Sequence, residues 1–271
     1  MQLIWQYLRL IRFPMTFAPV GAFVVGIIQS QKRWPSSPDE LISIVAIFFL
    51  SAGTLAYNGY EDRDIDARKG EPFAKLHPKV ALFVAIISFS IGTALSRMAS
   101  VKIVLLFLFF VLAAVLYSRV CVKIPVLKNV LAALLSAFLI LFCATVGSSV
   151  NIFNLLTTLV IFFAIMAMEI VKDVEDIEVD RGFRITLPHL MPMSHIRITV
   201  AFCITGAISI GFIFPSRTVP FIILYAIASA AFMMAVLRLP NRLTPEIDHV
   251  PRKLIYVGLW IGLMAFLAPV L

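Results

Sequence analysis

The chain has 271 residues, of which 61% are hydrophobic and 14% are charged, and its formal net charge is +8. About a quarter of the residues in a soluble domain are charged because its surface faces water, so this composition excludes an ordinary soluble domain. The positive charge could indicate a nucleic-acid partner. In so apolar a chain, membrane topology explains it better, and we expect no nucleic-acid binding.

Apolar runs recur along the whole chain. Each has roughly 16–20 residues, about long enough to cross the hydrocarbon core of a bilayer as a helix. They predict nine membrane spans, at 13–30, 41–57, 80–96, 103–118, 129–147, 152–171, 198–215, 219–237 and 254–270. Backbone groups in lipid must be hydrogen-bonded internally. The sequence therefore predicts an all-α polytopic membrane bundle, with residues 1–271 forming a single transmembrane domain.

The basic residues are divided unevenly between the two sides of this predicted bundle. Of 23 lysine and arginine residues, 18 fall in the N-terminal segment and in the loops after even-numbered spans. The other five are Lys32, Arg33, Arg97, Lys102 and Arg217. Because cytoplasmic loops carry the excess of positive charge, we predict an integral protein of the cell membrane with a cytoplasmic N-terminus.

A first acidic window directly follows the second predicted span. It contains Glu61, Asp62, Asp64, Asp66 and Glu71. Asn58, Asp62 and Asp66 are spaced four apart, so they lie near one face of a helix. Carboxylates stacked in this way repel one another, and a cation should offset them. Magnesium suits such all-oxygen sites, and it typically takes one or two carboxylates together with phosphate oxygens.

A second acidic window follows the sixth predicted span. It contains Glu169, Asp173, Glu175, Asp176, Glu178 and Asp180. Asp173, Asp176 and Asp180 have three-and-four spacing and also share a helix face. A single acidic loop is usually a solvated segment paired with nearby lysine and arginine. Two matched windows on the same predicted cytoplasmic side, in a chain with only 15 acidic residues, favour a functional site that lines one cavity.

These residues resemble the UbiA superfamily of intramembrane prenyltransferases. NGYEDRDID, which begins at Asn58, is similar to the family's first NxxxDxxxD motif. KDVEDIEVD at 172–180, followed by TLP, is similar to the second. Tyr117 and Lys123, in YSRVCVK, are similar to the tyrosine–lysine motif after the fourth span. The second motif is most similar to the digeranylgeranylglyceryl phosphate synthase-like branch, which makes archaeal ether lipids.

The resemblance implies a magnesium-dependent prenyltransferase. The donor would be a prenyl diphosphate, expected to be geranylgeranyl diphosphate, and the acceptor a membrane lipid or glycerol phosphate. Asn58, Asp62 and Asp66 would hold one magnesium, and Asp173, Asp176 and Asp180 a second. Catalysis is expected to involve Asp62, Asp66, Asp173, Asp176 and Tyr117, whose ring would face the developing allylic cation. Substrate contacts are expected from Asn58, Lys123, Arg68 and Lys69.

The sequence departs from the family pattern at four places. These are Gly59, the segment GEPFAKLHP, Val179 and Cys121, where the family's spacing would put the lysine. The departures bear on the acceptor more than on the reaction. An aromatic acceptor, as in quinone synthesis, or cyclisation without an acceptor therefore stays open. The proton acceptor also stays open, between a motif carboxylate, His77 and His189.

A cation- or proton-coupled transporter is the alternative from another class. Acidic residues within a membrane can carry ions across it. Here the acids collect at one face, and the predicted spans are nearly free of charge in their interiors. This pattern argues against a path that crosses the membrane.

Overall fold

The computed structural model describes residues 2–146, 149–215, 218–241 and 249–268. Regular structure in these ranges is entirely helical. The α-helices are, in chain order, α1 Gln2–Leu10, α2 Phe13–Gln31, α3 Pro38–Glu61, α4 Arg63–Arg68, α5 Pro78–Ala99, α6 Val101–Arg119, α7 Leu127–Leu141, α8 Ile152–Glu175, α9 Ile177–Asp180, α10 Leu187–Leu190, α11 Met193–Phe212, α12 Val219–Arg238 and α13 Val250–Leu267. Short 3-10 turns occur at Pro72–Lys75, Cys121–Lys123 and Phe142–Val146.

Eight of the described helices are long and apolar enough to cross a membrane: α2, α3, α5, α6, α8, α11, α12 and α13. The ninth predicted span corresponds to α7, which is apolar but has only 15 residues and continues into the 3-10 turn at Phe142–Val146. The prediction of an all-α bundle of about nine membrane helices is confirmed. Positions 147, 269 and 270 of the predicted spans lie outside the described residues, as do Arg217 and Arg242.

The membrane helices form a ring in chain order. Each packs against the next, and α13 closes the ring on α2 and α8. Small residues allow the closest approaches, as is usual between membrane helices. A methyl group at Gly258 in α13 would lie 2.6 Å from the Phe232 ring and 3.2 Å from the Ala228 carbonyl oxygen, both in α12. The last two membrane helices therefore contact almost backbone to backbone.

Polar side chains tie α2 to α8 at the end of the bundle opposite the acidic windows. Gln29 donates to the Thr157 hydroxyl at 2.7 Å, and the Asn154 amide donates to the Gly26 carbonyl at 3.0 Å. Buried amides are costly unless they are hydrogen-bonded, so these contacts fix how the two helices align.

The short amphipathic helix α1 lies over the other end of the bundle. Its Leu10 is buried with Ala56 and Tyr57 of α3 and with Phe73, while Trp5 is exposed. The chain then turns into α2 at Arg12, whose φ of 45° is in the left-handed region that non-glycine residues seldom occupy. This turn brings α1 beside the C-terminal end of α3, where the first acidic window begins.

Candidate active site

The first acidic window lies at the junction of α3 and α4. The Asp62 N–H donates to the Asn58 carbonyl, and the Asp66 N–H donates to the Asp62 carbonyl, both at 2.8 Å. Because these bonds continue the helical pattern through the junction, the three motif side chains stay on one face.

The second acidic window has the same construction where α8 meets α9. The Asp176 N–H donates to the Lys172 carbonyl at 2.9 Å, and the Asp180 N–H donates to the Asp176 carbonyl at 2.8 Å. Asp62 and Asp176 thus occupy equivalent positions, each as the first residue beyond a long membrane helix.

A polar cavity of about 1260 Å³ lies between the two windows. Its walls come from α1, α2, α3, α4, α6, α7, α8 and α13, so residues far apart in sequence meet there. Of the residues singled out in the sequence, it is lined by Asn58, Asp62, Asp66, Lys69, Tyr117 and Asp176.

Basic side chains join the two windows across this cavity. The Lys69 ammonium from the first lies 2.5 Å from an Asp176 carboxylate oxygen in the second. Arg184 lies 2.8 Å from Asp180 and 3.7 Å from Asp62. Lys69 and Arg184 therefore link the two windows, because each basic side chain attracts a carboxylate of the other window.

Two carboxylates of the second window lie behind the cavity wall. Asp173 accepts hydrogen bonds from the Lys128 ammonium and, at 3.0 Å, from the Asn129 amide. Asp180 is 0% exposed and paired with Arg184. Both carboxylates are already compensated by buried cations, and the side chains that reach the cavity are Lys128 and Arg184.

Asp66 is the buried carboxylate of the first window. One oxygen lies 3.7 Å from the Arg12 guanidinium, and the other is buried without a hydrogen-bond partner. Burial raises the pKa of Asp66 to about 6, although Arg12 acts in the opposite direction. For Asp176, burial also acts to raise the pKa, but Lys69 and Lys172 overcome it and hold that pKa below its usual value.

Two of the predicted substrate-contacting residues do not line the cavity. Lys123 is exposed, because the chain leaves α6 through a 3-10 turn at the surface. Arg68 is also exposed and stacks on the Phe183 ring, 4.1 Å from its centroid. Neither side chain reaches the cavity in this structure, so their expected contact with phosphate stays a prediction.

The two candidate histidine bases have local roles elsewhere. His77 caps the first turn of α5 by accepting from the Lys79 N–H at 3.3 Å. The His189 ring accepts from the Thr186 N–H at 3.2 Å, within a capping box. Neither lines the polar cavity.

Several cavity residues were not singled out from the sequence as site residues. They include the cations Arg9, Arg12, Lys128, Lys172, Arg184, Arg252 and Lys253 and the acids Glu71, Glu169, Glu175 and Glu178. In the sequence these cations resemble ordinary membrane-interface anchors, because no neighbouring motif distinguishes them from the other lysine and arginine residues. A weak signal existed for Arg184, which is four residues after Asp180 and so can pair with it along the chain.

The end of α13 that borders the cavity is fastened to α8. Glu175 Oε2 lies 3.0 Å from His249 Nδ1 and 3.0 Å from Arg252 Nε. This contact holds the N-terminus of the last helix against the second acidic window and places Arg252 and Lys253 on the cavity rim.

An apolar cavity of about 290 Å³ continues from the polar one towards the middle of the bundle. Asn58, Tyr117, Glu169 and Tyr256 line both, so the two spaces meet there. The walls of the apolar part are mainly aliphatic and aromatic, and they include Ala22, Leu50, Phe110, Leu135, Ile161, Ile165, Leu259, Trp260 and Leu263. The combined shape suits a molecule with a charged head and a long apolar tail.

The cavity carboxylates are suited to a magnesium ion that binds together with a phosphate group. They are not suited to a metal ion that the protein holds alone. Across the described ranges, no three acidic, histidine or cysteine side chains converge closely enough to hold a metal ion. Magnesium commonly uses only one or two carboxylates and completes its shell with phosphate oxygens and water. Asp62 and Asp66 can supply these one or two carboxylates. Asp66 Oδ2 is buried and has no hydrogen-bond partner.

Comparison with known proteins relates the chain to one family of membrane enzymes. The family model described as UbiA prenyltransferase family matches residues 20–250. Digeranylgeranylglyceryl phosphate synthase from Natronomonas pharaonis is 33% identical over 182 residues, which cover 62% of this chain and 61% of that protein. The enzyme of the same name from Methanothrix thermoacetophila is 24% identical over 253 residues, covering 91% and 92%. The chain spans 60–64% of the relatives from N. pharaonis, Thermococcus gammatolerans and Pyrococcus abyssi.

Solved structures have the same fold. One, from a study of digeranylgeranylglyceryl phosphate synthase in membranes, matches with a TM-score of 0.73 and 21% identity over 100% of this chain and 99% of that one. A UbiA homologue from Archaeoglobus fulgidus, bound to GPP and Mg²⁺, matches with a TM-score of 0.73 and 15% identity over 98% and 99%. At these identities the likeness concerns the fold alone.

Proposed function

The chain belongs to the UbiA prenyltransferase family, and from this we propose that it is a membrane enzyme that transfers a geranylgeranyl group from its diphosphate to a glycerol-phosphate lipid. The observation that carries the proposal is the joined pair of cavities. The polar part combines carboxylates of both windows with basic side chains, and the apolar part continues into the bundle. A prenyl diphosphate has the same division into charged head and apolar tail.

Magnesium in this proposal is held by Asn58, Asp62 and Asp66, with Asp176 on the facing window. Bound there, it would act as a Lewis acid that neutralises charge on the leaving diphosphate. Lys69 and Arg184 line the same space and would contact diphosphate oxygens directly. The surroundings of Asp173 and Asp180 favour another role, because each is already paired with a buried cation.

The reacting carbon would lie where the two cavities meet. The bond from carbon one of the prenyl group to the diphosphate oxygen breaks, and a bond to the acceptor hydroxyl oxygen forms. The face of Tyr117 would stabilise positive charge that develops on the allylic carbons. Glu169 borders the same point, and its Oε2 is buried without a hydrogen-bond partner. We assign it the acceptor's proton, because that oxygen accepts no hydrogen bond from the described residues, although the Lys172 ammonium lies 3.8 Å from it.

The rim of the polar cavity favours an anionic acceptor over a neutral aromatic one. Arg9 and Lys253 line it, and neither has a carboxylate within ion-pair distance among the described residues. These two unpaired cations give the rim positive charge that a phosphate headgroup would neutralise. The similarity to proteins named digeranylgeranylglyceryl phosphate synthase points to the same acceptor.

The cavity would face the cytoplasm. The helix ends around it are those that the charge distribution assigns to the positive side, including the N-terminal end of α2 and the C-terminal ends of α3 and α8. Family membership favours this enzyme over a transporter, and it makes the chain an integral membrane protein.

The decisive experiment measures diphosphate released from geranylgeranyl diphosphate by purified protein in lipid nanodiscs. Parallel reactions contain magnesium or EDTA, and geranylgeranylglyceryl phosphate, an aromatic acceptor or no acceptor. We expect release that needs both magnesium and the glycerol phosphate, with one ether lipid as product. Release with the aromatic acceptor alone would contradict the proposed acceptor, and absence of release from folded protein under every condition would contradict prenyl transfer.

A further inference from the structure

Lys128 is a buried cation on the cavity wall. It lies in the first turn of α7, and its side chain is 3% exposed. Long basic side chains near a membrane surface normally extend towards water, and an ammonium held away from water is costly unless it is paired. Here the partner is Asp173, whose side chain is 2% exposed. The pair joins α7 to α8 at the motif end of the bundle.

The contacts of this pair leave the ammonium with unused donors. An ammonium has three N–H groups, and the described contacts of Lys128 use one, towards Asp173 Oδ1. The other Asp173 oxygen accepts from the Asn129 amide at 3.0 Å. Asp173 is therefore occupied on both oxygens by donors, whereas Lys128, which lines the cavity, can still donate to an anion placed there.

We propose that Lys128 is a fixed cation that binds the prenyl diphosphate in place of a second metal ion, with Asp173 as its positioning residue. This inference rests on the proposed function. A magnesium ion bound to Asp173 would lie beside the ammonium, and two positive charges at that distance in a poorly hydrated site repel strongly. The chain would thus bind one divalent ion, at the first window, and meet the other side of the diphosphate with an ammonium that it carries itself.

A purely structural ion pair is the alternative. Such a pair would hold α7 against α8 and leave ligand binding unchanged when both members are replaced together. The two explanations therefore differ in what the neutral double variant does, and they can be separated without measuring turnover.

The test counts metal ions and measures affinity with a substrate analogue that does not ionise. Purified protein is titrated with geranylgeranyl thiolodiphosphate, and bound Mn²⁺ is counted by electron paramagnetic resonance. Wild type is expected to bind one Mn²⁺ per chain with the analogue. Two Mn²⁺ ions per chain would overturn the inference and leave the proposed function intact. No binding of the analogue to folded protein would overturn both.

Variants then separate the roles of the two residues. Lys128→Met together with Asp173→Asn removes the charges as a pair, so the protein is expected to fold while its affinity for the analogue falls at least about tenfold, as for loss of a charged hydrogen bond. Unchanged affinity would overturn the inference. Lys79→Met is the matched control, since Lys79 lies in the first turn of α5 but is exposed and outside the cavity lining.

Lys128→Met alone frees Asp173, and we expect it to bind a second Mn²⁺ with the analogue. A count that stays at one in folded Lys128→Met protein would contradict the exchange of ammonium for metal. If this single variant does not fold, the count in wild type and the affinity of the double variant still decide.

Discussion

The two acidic windows have the same spacing but different surroundings. Each begins at the end of a long membrane helix and continues one turn into a short one. In the first, Asp66 has a cation no closer than 3.7 Å. In the second, Asp180 is 2.8 Å from a guanidinium, and Asp173 accepts from two donors. The same spacing of carboxylates along the helix therefore does not give them the same charge environment. The first window is poised to bind an external cation, and the second holds internal ones.

The position of each window in the ring explains this difference. The second window ends α8, which packs against α2, α7, α11 and α13 and is surrounded by other helices. The first ends α3, which packs against α2, α5 and α6, and enters α4, whose main contacts are α3, α9 and the 3-10 turn at Pro72–Lys75. Carboxylates enclosed on all sides must be compensated by the protein itself, because no water is present to do so. Carboxylates that line the cavity can instead be compensated by a bound cation.

The largest expected effect is a loss of stability when the buried ion pair of the second window is broken. Asp173→Ala leaves the buried Lys128 ammonium unpaired, and breaking a buried ion pair in this way costs about 3–5 kcal/mol of unfolding free energy. Denaturation in detergent, followed by the accessibility of the buried Cys143 and Cys203 thiols, measures it. The double variant Lys128→Met/Asp173→Asn, which removes both charges, should lose much less stability than Asp173→Ala. A fully stable Asp173→Ala protein would show that the pair is not buried as described.

The next effect belongs to the first window and concerns rate instead of stability. Asp62→Ala should lower turnover by at least about 10²-fold, since it removes a group that acts on charge developing at the leaving group. Its unfolding free energy should change by less than about 1 kcal/mol, because Asp62 is partly exposed and its nearest cation is 3.7 Å away. Asp176→Ala, from the equivalent position, should also abolish turnover. Normal turnover in both variants would remove the basis for the metal assignment.

A third prediction concerns pH and Asp66, the buried carboxylate of the first window. The folded-state pKa of Asp66 is raised from 3.8 to about 6, so its contribution to stability is full at low pH and is lost as the pH rises through 6. The groups that act on it are Arg12, Asp62, Lys69 and Glu71. Metal-free wild type should lose about 2–3 kcal/mol relative to Asp66→Asn between pH 4 and pH 7.

Melting curves of wild type and Asp66→Asn in EDTA, recorded at half-unit steps over this range, test the prediction. The difference between the two proteins isolates Asp66 from the other titratable groups of the chain. Parallel curves would mean that Asp66 ionises normally in the folded protein.

The smallest expected effect concerns the contact between the windows. Lys69→Met removes the 2.5 Å ion pair with Asp176, in which the two side chains are 22% and 11% exposed. Stability should fall by less than in Asp173→Ala, where the cation left unpaired is only 3% exposed. The KM for the prenyl diphosphate should rise by about 3- to 10-fold, because one charged donor to the diphosphate is lost. Steady-state kinetics at saturating acceptor measures this change. A larger loss of stability than of substrate affinity would make Lys69 a structural link only.

The sequence by itself determined the class of fold and the chemistry expected of it. Hydropathy and helical periodicity are local properties, so the runs that became α2, α3 and α5 to α8 could be read directly, with ends displaced by a few residues. The same periodicity put Asn58, Asp62 and Asp66 on one helix face. The distribution of basic residues predicts that both windows lie on the cytoplasmic side.

Only the tertiary structure decided which charges face the cavity. Whether a carboxylate meets water, a ligand or a buried ammonium depends on helices that are distant in sequence and brought together by the closed ring. Lys128 and Lys123 lie in the same short stretch between α6 and the first turn of α7, yet one is enclosed by α8 and the other is exposed. The pairing of Asp66 with Arg12 likewise requires α1 and α2 to fold back on α4. Spacing fixes direction along one helix, while burial and compensation are set by its neighbours.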